Sequence, residues 1–109
     1  MAPDRLSMLR KMATAKPDEP FPAYGLAMEL SKQGAHEEAR DTFADLVERH
    51  ADYVPCYLMY GNLLASMGAR EEAAGIYAAG IEAARRAGDD HARGELETAA
   101  AELAPDGDP

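Results

Sequence analysis

The chain has 109 residues, the length of one small domain, and a net charge of −9, which makes it a poor candidate for binding nucleic acid or an anionic membrane surface. Its single cysteine excludes a disulfide within one chain, and no apolar run approaches the ~20 residues of a membrane span. Alanine is the most frequent amino acid, whereas valine and isoleucine are both rare. Because strands favour β-branched residues and helices favour alanine, the composition predicts an all-α protein.

The first predicted helix covers residues 4–14. Its apolar stripe has helical spacing and consists of Leu6, Leu9, Met12 and Ala13. The residues before this helix lead into no continuous apolar stretch. We therefore expect no secretory signal and a cytoplasmic location.

Two further helices are predicted at 20–33 and 36–50, joined by a tight turn. Prolines suit the start of the earlier helix. Gly34 can adopt the left-handed conformation that ends a helix. The acidic pair Glu37 and Glu38 then falls in the first turn of the next helix, where the helix dipole favours negative charge. These residues predict an antiparallel helix pair.

The same arrangement returns in the helices predicted at 54–67 and 70–87. Gly68 takes the place of the earlier turn glycine, Pro55 suits the first helical turn, and Asp52 is a candidate N-cap. A 34-residue shift of the sequence superposes the two pairs. The matched residues are small at the turn, acidic just after it and aromatic within the second helix: Gly34 with Gly68, Glu37 and Glu38 with Glu71 and Glu72, Ala39 with Ala73, and Phe43 with Tyr77.

The sixth predicted helix covers residues 89–103. Gly88 can end the helix before it, and Asp89 can cap the new one. Residues 105–109 are predicted to form a frayed acidic tail. The side of this helix that faces a core consists of Ala92, Leu96, Ala99, Ala100 and Leu103.

A helix–turn–helix unit with this 34-residue period and this pattern resembles the tetratricopeptide repeat family. The positions that carry the resemblance are Ala27 and Gly61, Leu30 and Leu64, Ala39 and Ala73, and Phe43 and Tyr77. The early tryptophan of the family is replaced by Ala23 and Tyr57. The chain is also similar to short bacterial two-repeat members of the family through the string Pro-Phe-x-x-Tyr-x-Leu-Ala at 20–27.

The resemblance implies a short right-handed solenoid of antiparallel helix pairs, with about six helices in a single domain over residues 1–104. The parts of this domain are a half-repeat helix at 4–14, repeats at 20–53 and 54–87, and a capping helix at 89–103.

The resemblance also implies that the first helix of each repeat lines a concave groove that binds another protein. The predicted groove residues are Phe21, Tyr24, Met28, Lys32, Leu58, Met59, Asn62 and Arg93. On the last helix the same face is expected to include Asp89, Ala92 and Leu96. Because acidic residues dominate elsewhere, we expect the partner to be a peptide or helical segment with apolar and basic residues. Only Arg93 suits the family's carboxylate clamp, which argues against an acidic tail as partner.

Two alternatives stay open at this point. In the first, the flanking helices fold over the groove and bury Tyr24, Met28 and Leu58 in a core. In the second, the chain is a structural scaffold that assembles weakly with itself, through its groove or its ends. Residues 1–19 sum to +1 and residues 89–109 sum to −6, a difference that is consistent with weak head-to-tail association, with the orientation of a partner and with plain solvation of the two ends.

Catalytic, metal and cofactor chemistry find no support in the sequence. None of His36, His50 and His91 has a second histidine or cysteine at i+3 or i+4, and zinc requires three or four converging ligands. Cys56 suits inert packing better than a reactive thiol, and the tyrosines around it have the helical spacing of a core. We therefore expect no enzyme, no metal and no cofactor.

Overall fold

Six α-helices make up the part of the chain that the structure, a computed structural model, describes, residues 4–103. Every predicted helix is present, each boundary lies within one residue of its prediction, and no strand occurs within this range. The prediction of an all-α helical repeat is therefore confirmed, whereas the predicted tail at 105–109 lies outside the described residues. The helices are α1 (Arg5–Ala15), α2 (Pro20–Lys32), α3 (His36–Arg49), α4 (Pro55–Ser66), α5 (Arg70–Ala87) and α6 (Asp90–Leu103).

The chain divides between His50 and Ala51 into two units of three helices each. Unit 1 contains α1, α2 and α3, and unit 2 contains α4, α5 and α6. Within each unit consecutive helices pack against one another, and α4 also contacts α6. The single domain over residues 1–104 stays a prediction. Over residues 4–103, no helix combines the length and the apolar character that crossing a membrane requires.

The turn between the helices of a repeat has the same geometry in both units. Gly34 has a φ of 85° and Gly68 has a φ of 82°. In unit 1 the N–H of Ala35 donates to the carbonyl of Leu30 at 2.9 Å, and the matching bond in unit 2 has the same length. Residues with a Cβ rarely adopt this left-handed conformation, so the turn requires glycine. The repeated geometry bears out the 34-residue period.

The core of unit 1 lies between α2 and α3, where Leu30 and Phe43 are fully buried. In contrast, α1 contributes no fully buried side chain. Its Leu9 lies against α2 beside Gly25, where an added Cβ would sit 3.3 Å from the leucine. The apolar contribution that holds α1 in place is therefore small.

Two ion pairs supplement the weak apolar packing of α1. The Nε of Arg5 lies 3.1 Å from Oε1 of Glu29 on α2. Arg10 donates through both terminal nitrogens to the carboxylate of Glu38 on α3, with 2.9 Å between Nη2 and Oε1. Glu38 lies in the first turn of α3, as predicted, but it also holds a basic side chain of another helix.

Tyrosines and glycines pack against each other in unit 2. Gly61 of α4 lies so close to the ring of Tyr77 that a Cβ there would overlap the ring. Gly80 of α5 lies against Tyr57, which a Cβ at that glycine would approach to 2.5 Å. Leu96 of α6 covers the same glycine and is 1% exposed. Interpreting the helically spaced tyrosines as core is therefore confirmed for Tyr57, which is buried.

One of the two predicted N-caps is present and the other is wrong. Asp89 caps α6, because its Oδ1 accepts from the N–H three residues later at 3.0 Å. Asp52 does not cap α4. The N-cap there is Val54, which already has helical φ and ψ, and Pro55 at the first helical position has no N–H to satisfy. Asp52 instead lies 3.7 Å from the guanidinium of Arg86.

Candidate protein-binding site

The predicted binding residues of unit 1 share one side of α2. Phe21 is 67% exposed, Tyr24 and Met28 are half-buried, and Lys32 is exposed. The opposite side of the helix carries the buried Leu30 and its neighbours. The partial burial of the tyrosine and the methionine means that the side chains of unit 1 do not cover them completely.

Unit 1 also has a groove that the sequence did not predict, on the other side of α2. This α1–α3 groove has a volume of about 580 Å³. Its apolar floor includes Ala23, Leu26 and Leu46, and charged side chains such as Arg10 and Asp45 form its rim. None of the predicted residues of α2 lines this groove. Ala23 and Leu26 share a helix face, but the sequence alone does not show that α1 and α3 leave that face open.

Unit 2 has a groove between α4 and α6 with a volume of about 660 Å³. Two of the four residues predicted for this unit, Leu58 and Asn62, line the groove. Met59 is half-buried and Arg93 lies on α6, and neither lines it. We call this the α4–α6 groove, and its lining residues are Leu58, Asn62, Asp90, His91, Gly94, Glu95, Thr98, Ala99 and Glu102.

The floor of the α4–α6 groove combines an apolar surface with one fixed amide. Leu58 and Ala99 are half-buried and provide the apolar surface. The hydroxyl of Tyr77 donates to Oδ1 of Asn62 at 2.6 Å. This bond fixes the orientation of the Asn62 side chain, which is exposed and whose amide nitrogen is a hydrogen-bond donor.

The rim of the α4–α6 groove is acidic. Asp90, Glu95 and Glu102 are exposed carboxylates on α6, and no lysine or arginine is among the lining residues. His91 lies 3.6 Å from Glu95. Burial, and secondarily the charge of Glu102, raises the pKa of Tyr77 above its ordinary value. The groove therefore presents a negative electrostatic potential above an apolar floor.

Of the two expectations for the last helix, the core position of Leu96 is confirmed and its groove position is wrong. Leu96 belongs to the core instead of the groove, and Asp89 caps the helix. The side of α6 that does line the groove carries His91, Glu95 and Thr98. Their spacing of four and three positions already marks a polar helix face. Extending the 34-residue shift into α6 obscured that signal, because α6 departs from the repeat pattern.

Arg93 is held by acidic neighbours on its own helix. Its guanidinium lies 3.6 Å from Asp90 and 3.8 Å from Glu97. A carboxylate clamp needs several converging basic or amide groups. The lining of the α4–α6 groove provides one such amide, on Asn62, beside three carboxylates.

The remaining candidates for chemistry are a buried cysteine and three histidines, of which His50 lines the α1–α3 groove and His91 the α4–α6 groove. Cys56 is fully buried, and burial raises the pKa of its thiol to about 12. Its interpretation as a packing residue is therefore confirmed. His36 and His91 are exposed, and His50 is half-buried. Within residues 4–103, no three His, Cys, Asp or Glu side chains come together as metal ligands.

Comparison with solved structures identifies the family. A solution structure of a tetratricopeptide repeat domain protein from Salinibacter ruber is 36% identical, with a TM-score of 0.76, over 80% of this chain and 88% of that one. A crystal structure of the S. ruber domain protein is 35% identical, with a TM-score of 0.74, over 78% and 96% of the two chains. This chain belongs to the tetratricopeptide repeat family.

A third structural match is more distant in sequence. The solution structure of a protein from Bordetella parapertussis has a TM-score of 0.79 over 94% of this chain and 89% of that one, at 19% identity. That likeness shows the fold alone. No family model matches the sequence, and no curated protein does.

Membership of the tetratricopeptide repeat family assigns roles to the helices. The pairs α2–α3 and α4–α5 correspond to the two predicted repeats, which stay a prediction, and matched turns at Gly34 and Gly68 join the helices of each pair. Helical repeats of this family commonly serve protein interaction. In unit 2, the α4–α6 groove is built on α4, the first helix of the pair α4–α5.

Proposed function

We propose that this tetratricopeptide repeat protein is a non-catalytic interaction module that binds a peptide or helical segment of another protein in the α4–α6 groove. The observation that carries the proposal is the combination of an apolar floor with an acidic rim. We propose a second contact surface for the same class of partner on α2, because four side chains there are at least partly exposed: Phe21, Tyr24, Met28 and Lys32.

The floor accounts for the apolar part of the partner. Leu58 is half-buried, so a partner side chain can cover its remaining surface and remove it from water. Leu96 on α6 and Tyr77 on α5 are buried and the Tyr77 hydroxyl bonds to Asn62, so the helices that form the floor are packed on a core. The amide of Asn62 adds a hydrogen-bond donor for a backbone carbonyl of the partner.

The rim accounts for the charge of the partner. Three exposed carboxylates surround the floor, and acidic residues outnumber basic ones by 11 to 4 over residues 51–109. A lysine or arginine beside the apolar anchor of the partner would be attracted to this rim, and an acidic segment would be repelled. The proposed ligand is therefore a segment that carries both apolar and basic side chains.

Two synthetic helices test the proposal. One is an amphipathic peptide of about 15 residues with leucine on one face and lysine on the other, and its counterpart has glutamate in place of each lysine. We expect the lysine peptide to bind, to shift the amide resonances of α4 and α6, and to bind less tightly at high salt. Equal binding of the two peptides, or shifts that avoid the groove, would show that the proposal is wrong.

Matched variants separate the groove from general acidity. Replacing Glu95 and Glu102 by glutamine is expected to weaken binding of the lysine peptide by about three- to tenfold. Replacing Glu71 and Glu82, which are exposed outside the groove, by glutamine removes the same charge and should leave binding nearly unchanged. An equal loss of peptide affinity in both variants would show that binding depends on the net charge of the protein and not on the position of the carboxylates in the groove.

A second pair of variants tests the floor. Leu58→Ala removes apolar surface from the groove, whereas Met59→Ala alters the neighbouring residue outside it. We expect only the first to weaken binding, with both variants folded by circular dichroism. An equal effect of Met59→Ala would indicate that the peptide contacts a wider face of α4 than the groove. Tyr24→Ala measures how much α2 contributes to the binding of the peptide.

A further inference from the structure

Two methionines form an exposed apolar stripe on α1 that the proposed peptide site does not use. Met8 is 51% exposed and Met12 is 48% exposed, and they lie one helical turn apart. Over residues 4–103, the exposed large apolar side chains are these two and Phe21, and all three belong to unit 1. We call Met8 and Met12 the methionine stripe.

The repeat pattern shows which positions of α3 and α5 correspond to the methionine stripe. One 34-residue shift matches Met12 with Leu46, and a second shift matches it with Gly80. Both of these positions are buried. Gly80 is covered by Tyr57 from α4, the helix that pairs with α5 in its repeat. A neighbouring helix therefore covers the matched position on α5, so the stripe has the residue pattern of a surface on which a helix packs.

The exposed side of α6 does not provide a suitable occupant. A head-to-tail contact between copies would place α6 of one copy on α1 of the next. The exposed residues of α6 are small, polar or acidic, and none is a large apolar side chain that could cover the two methionines. The exposed residues of α6 include Asp90, Gly94, Glu97 and Ala101.

The α1 helix of a second copy is a suitable occupant of the methionine stripe. In an antiparallel pair related by a two-fold axis, Met8 of each copy faces Met12 of the other. The stripe is bordered by both signs of charge, with Asp4 and Lys11 toward one side and the Arg5–Glu29 ion pair toward the other. Residues 1–50 carry seven basic and nine acidic residues, a net charge of −2, so this part of the chain repels a copy of itself least.

We propose that two copies of this chain associate through the methionine stripe, with their α1 helices antiparallel. Methionine suits the contact, because its flexible thioether adapts to an opposing methionine. An 11-residue helix is about 16 Å long and covers less than the roughly 800 Å² per partner of a standard stable interface. The dimer is therefore weak and forms only at high protein concentration. It involves no residue of the α4–α6 groove.

Sedimentation equilibrium over a concentration series up to the millimolar range tests the association. We expect the mass of the natural chain to rise toward that of a dimer and to go no further. Met8→Glu and Met12→Lys are each expected to abolish the rise. The combined variant, which lacks both methionines, should also stay monomeric, because the introduced carboxylate and ammonium lie one turn apart and pair within the same helix. Ala101→Glu on α6 adds the same charge as Met8→Glu and should leave the association unchanged.

Crosslinking tests the direction of the pair. In an equal mixture of the Met8→Cys and Met12→Cys variants, a short bis-maleimide should give more than about twice as much heterodimer as either homodimer, which is the excess over random pairing. The buried Cys56 provides an unreactive background. More crosslinking within the single variants than between them would overturn the antiparallel direction.

The remaining outcomes decide between occupants. A natural chain that stays monomeric throughout the series overturns the proposal and leaves the stripe to a helix of another protein. Masses beyond the dimer would indicate head-to-tail assembly, which also overturns it. Peptide binding in the α4–α6 groove is measured independently and survives either result.

Discussion

At the scale of single residues, the packing of this protein depends on small side chains placed opposite large ones. Ala39 and Ala73 occupy matched positions in the two repeats and are both fully buried. Gly61 allows the ring of Tyr77 to lie directly against the backbone of α4. Interiors are packed as densely as organic crystals, so an added methylene at such a position meets an atom already in place.

The first prediction concerns Ala73. Ala73→Leu is expected to overpack the contact between α4 and α5 and to lower the free energy of unfolding by about 1–3 kcal/mol. Chemical denaturation followed by circular dichroism measures the change. The matched control is Ala74→Leu, at the exposed neighbouring position. If both variants have the stability of the natural chain, the repeat alignment at this position is wrong.

The second prediction contrasts two helical glycines. Gly75 is exposed, and a Cβ there would meet nothing within 4 Å. Gly75→Ala is therefore expected to stabilise the protein by about 0.5–1 kcal/mol through the better helix propensity of alanine. Gly61→Ala is expected to destabilise it by about 1 kcal/mol or more, because the new methyl group overlaps Tyr77. Opposite shifts in the denaturation midpoint would support this, and shifts of the same sign would contradict it.

At the scale of helices, the sequence predicts where an element begins and ends better than which way it faces. The bounds of α2 and α3 follow from local signals, such as the prolines in the first turn of α2 and the left-handed Gly34 between the two helices. The face that α6 directs into the groove depends on its rotation against α4 and α5. The 34-residue shift does not reach that rotation, and so it places Leu96 in the groove, whereas the apolar spacing of the helix correctly places the same residue in the core.

The charges between helices were equally hard to predict. Glu38 has a clear local role at the start of α3, and nothing near it in the sequence indicates the distant Arg10, with which it pairs. The pairing depends on α1 lying beside α3, which is a tertiary property. For the same reason, the sequence does not predict the α1–α3 groove.

The third prediction concerns the pH dependence of α1 packing. The hydrogen bonds from Arg10 lower the pKa of Glu38 below its ordinary value. A carboxyl whose pKa is lower in the folded state stabilises it at neutral pH, and that contribution is lost as the pH falls from its ordinary pKa of about 4.5 through the lowered one. Amide hydrogen exchange in α1 should therefore accelerate in acid relative to α2.

A matched substitution tests the source of that pH dependence. Glu38→Gln should accelerate exchange in α1 at neutral pH and remove part of its acid response. Glu48→Gln, at an exposed position later in α3, should do neither. If the two variants behave alike, the ion pair with Arg10 does not hold α1.

At the scale of the whole molecule, charge is distributed unevenly along the chain. Residues 1–50 sum to −2, whereas residues 51–109 carry 4 basic and 11 acidic residues and sum to −7. In unit 1, opposite charges on different helices attract, as in the Arg5–Glu29 and Arg10–Glu38 pairs. In unit 2, the excess of acidic side chains produces repulsion within the folded state.

The fourth prediction follows from this difference, because added salt screens attraction and repulsion alike. Salt at about 0.5 M shortens the Debye length to roughly 4 Å, so the ion pairs of α1 weaken and its amides should exchange faster. The acidic helices of unit 2 repel one another less under the same conditions, and the amides of α5 and α6 should exchange more slowly. Residue-resolved hydrogen exchange at low and high salt measures both effects in one sample. A change of the same sign in α1 and in α6 would mean that salt acts mainly through apolar burial, and the assignment of attraction to unit 1 and repulsion to unit 2 would then fail.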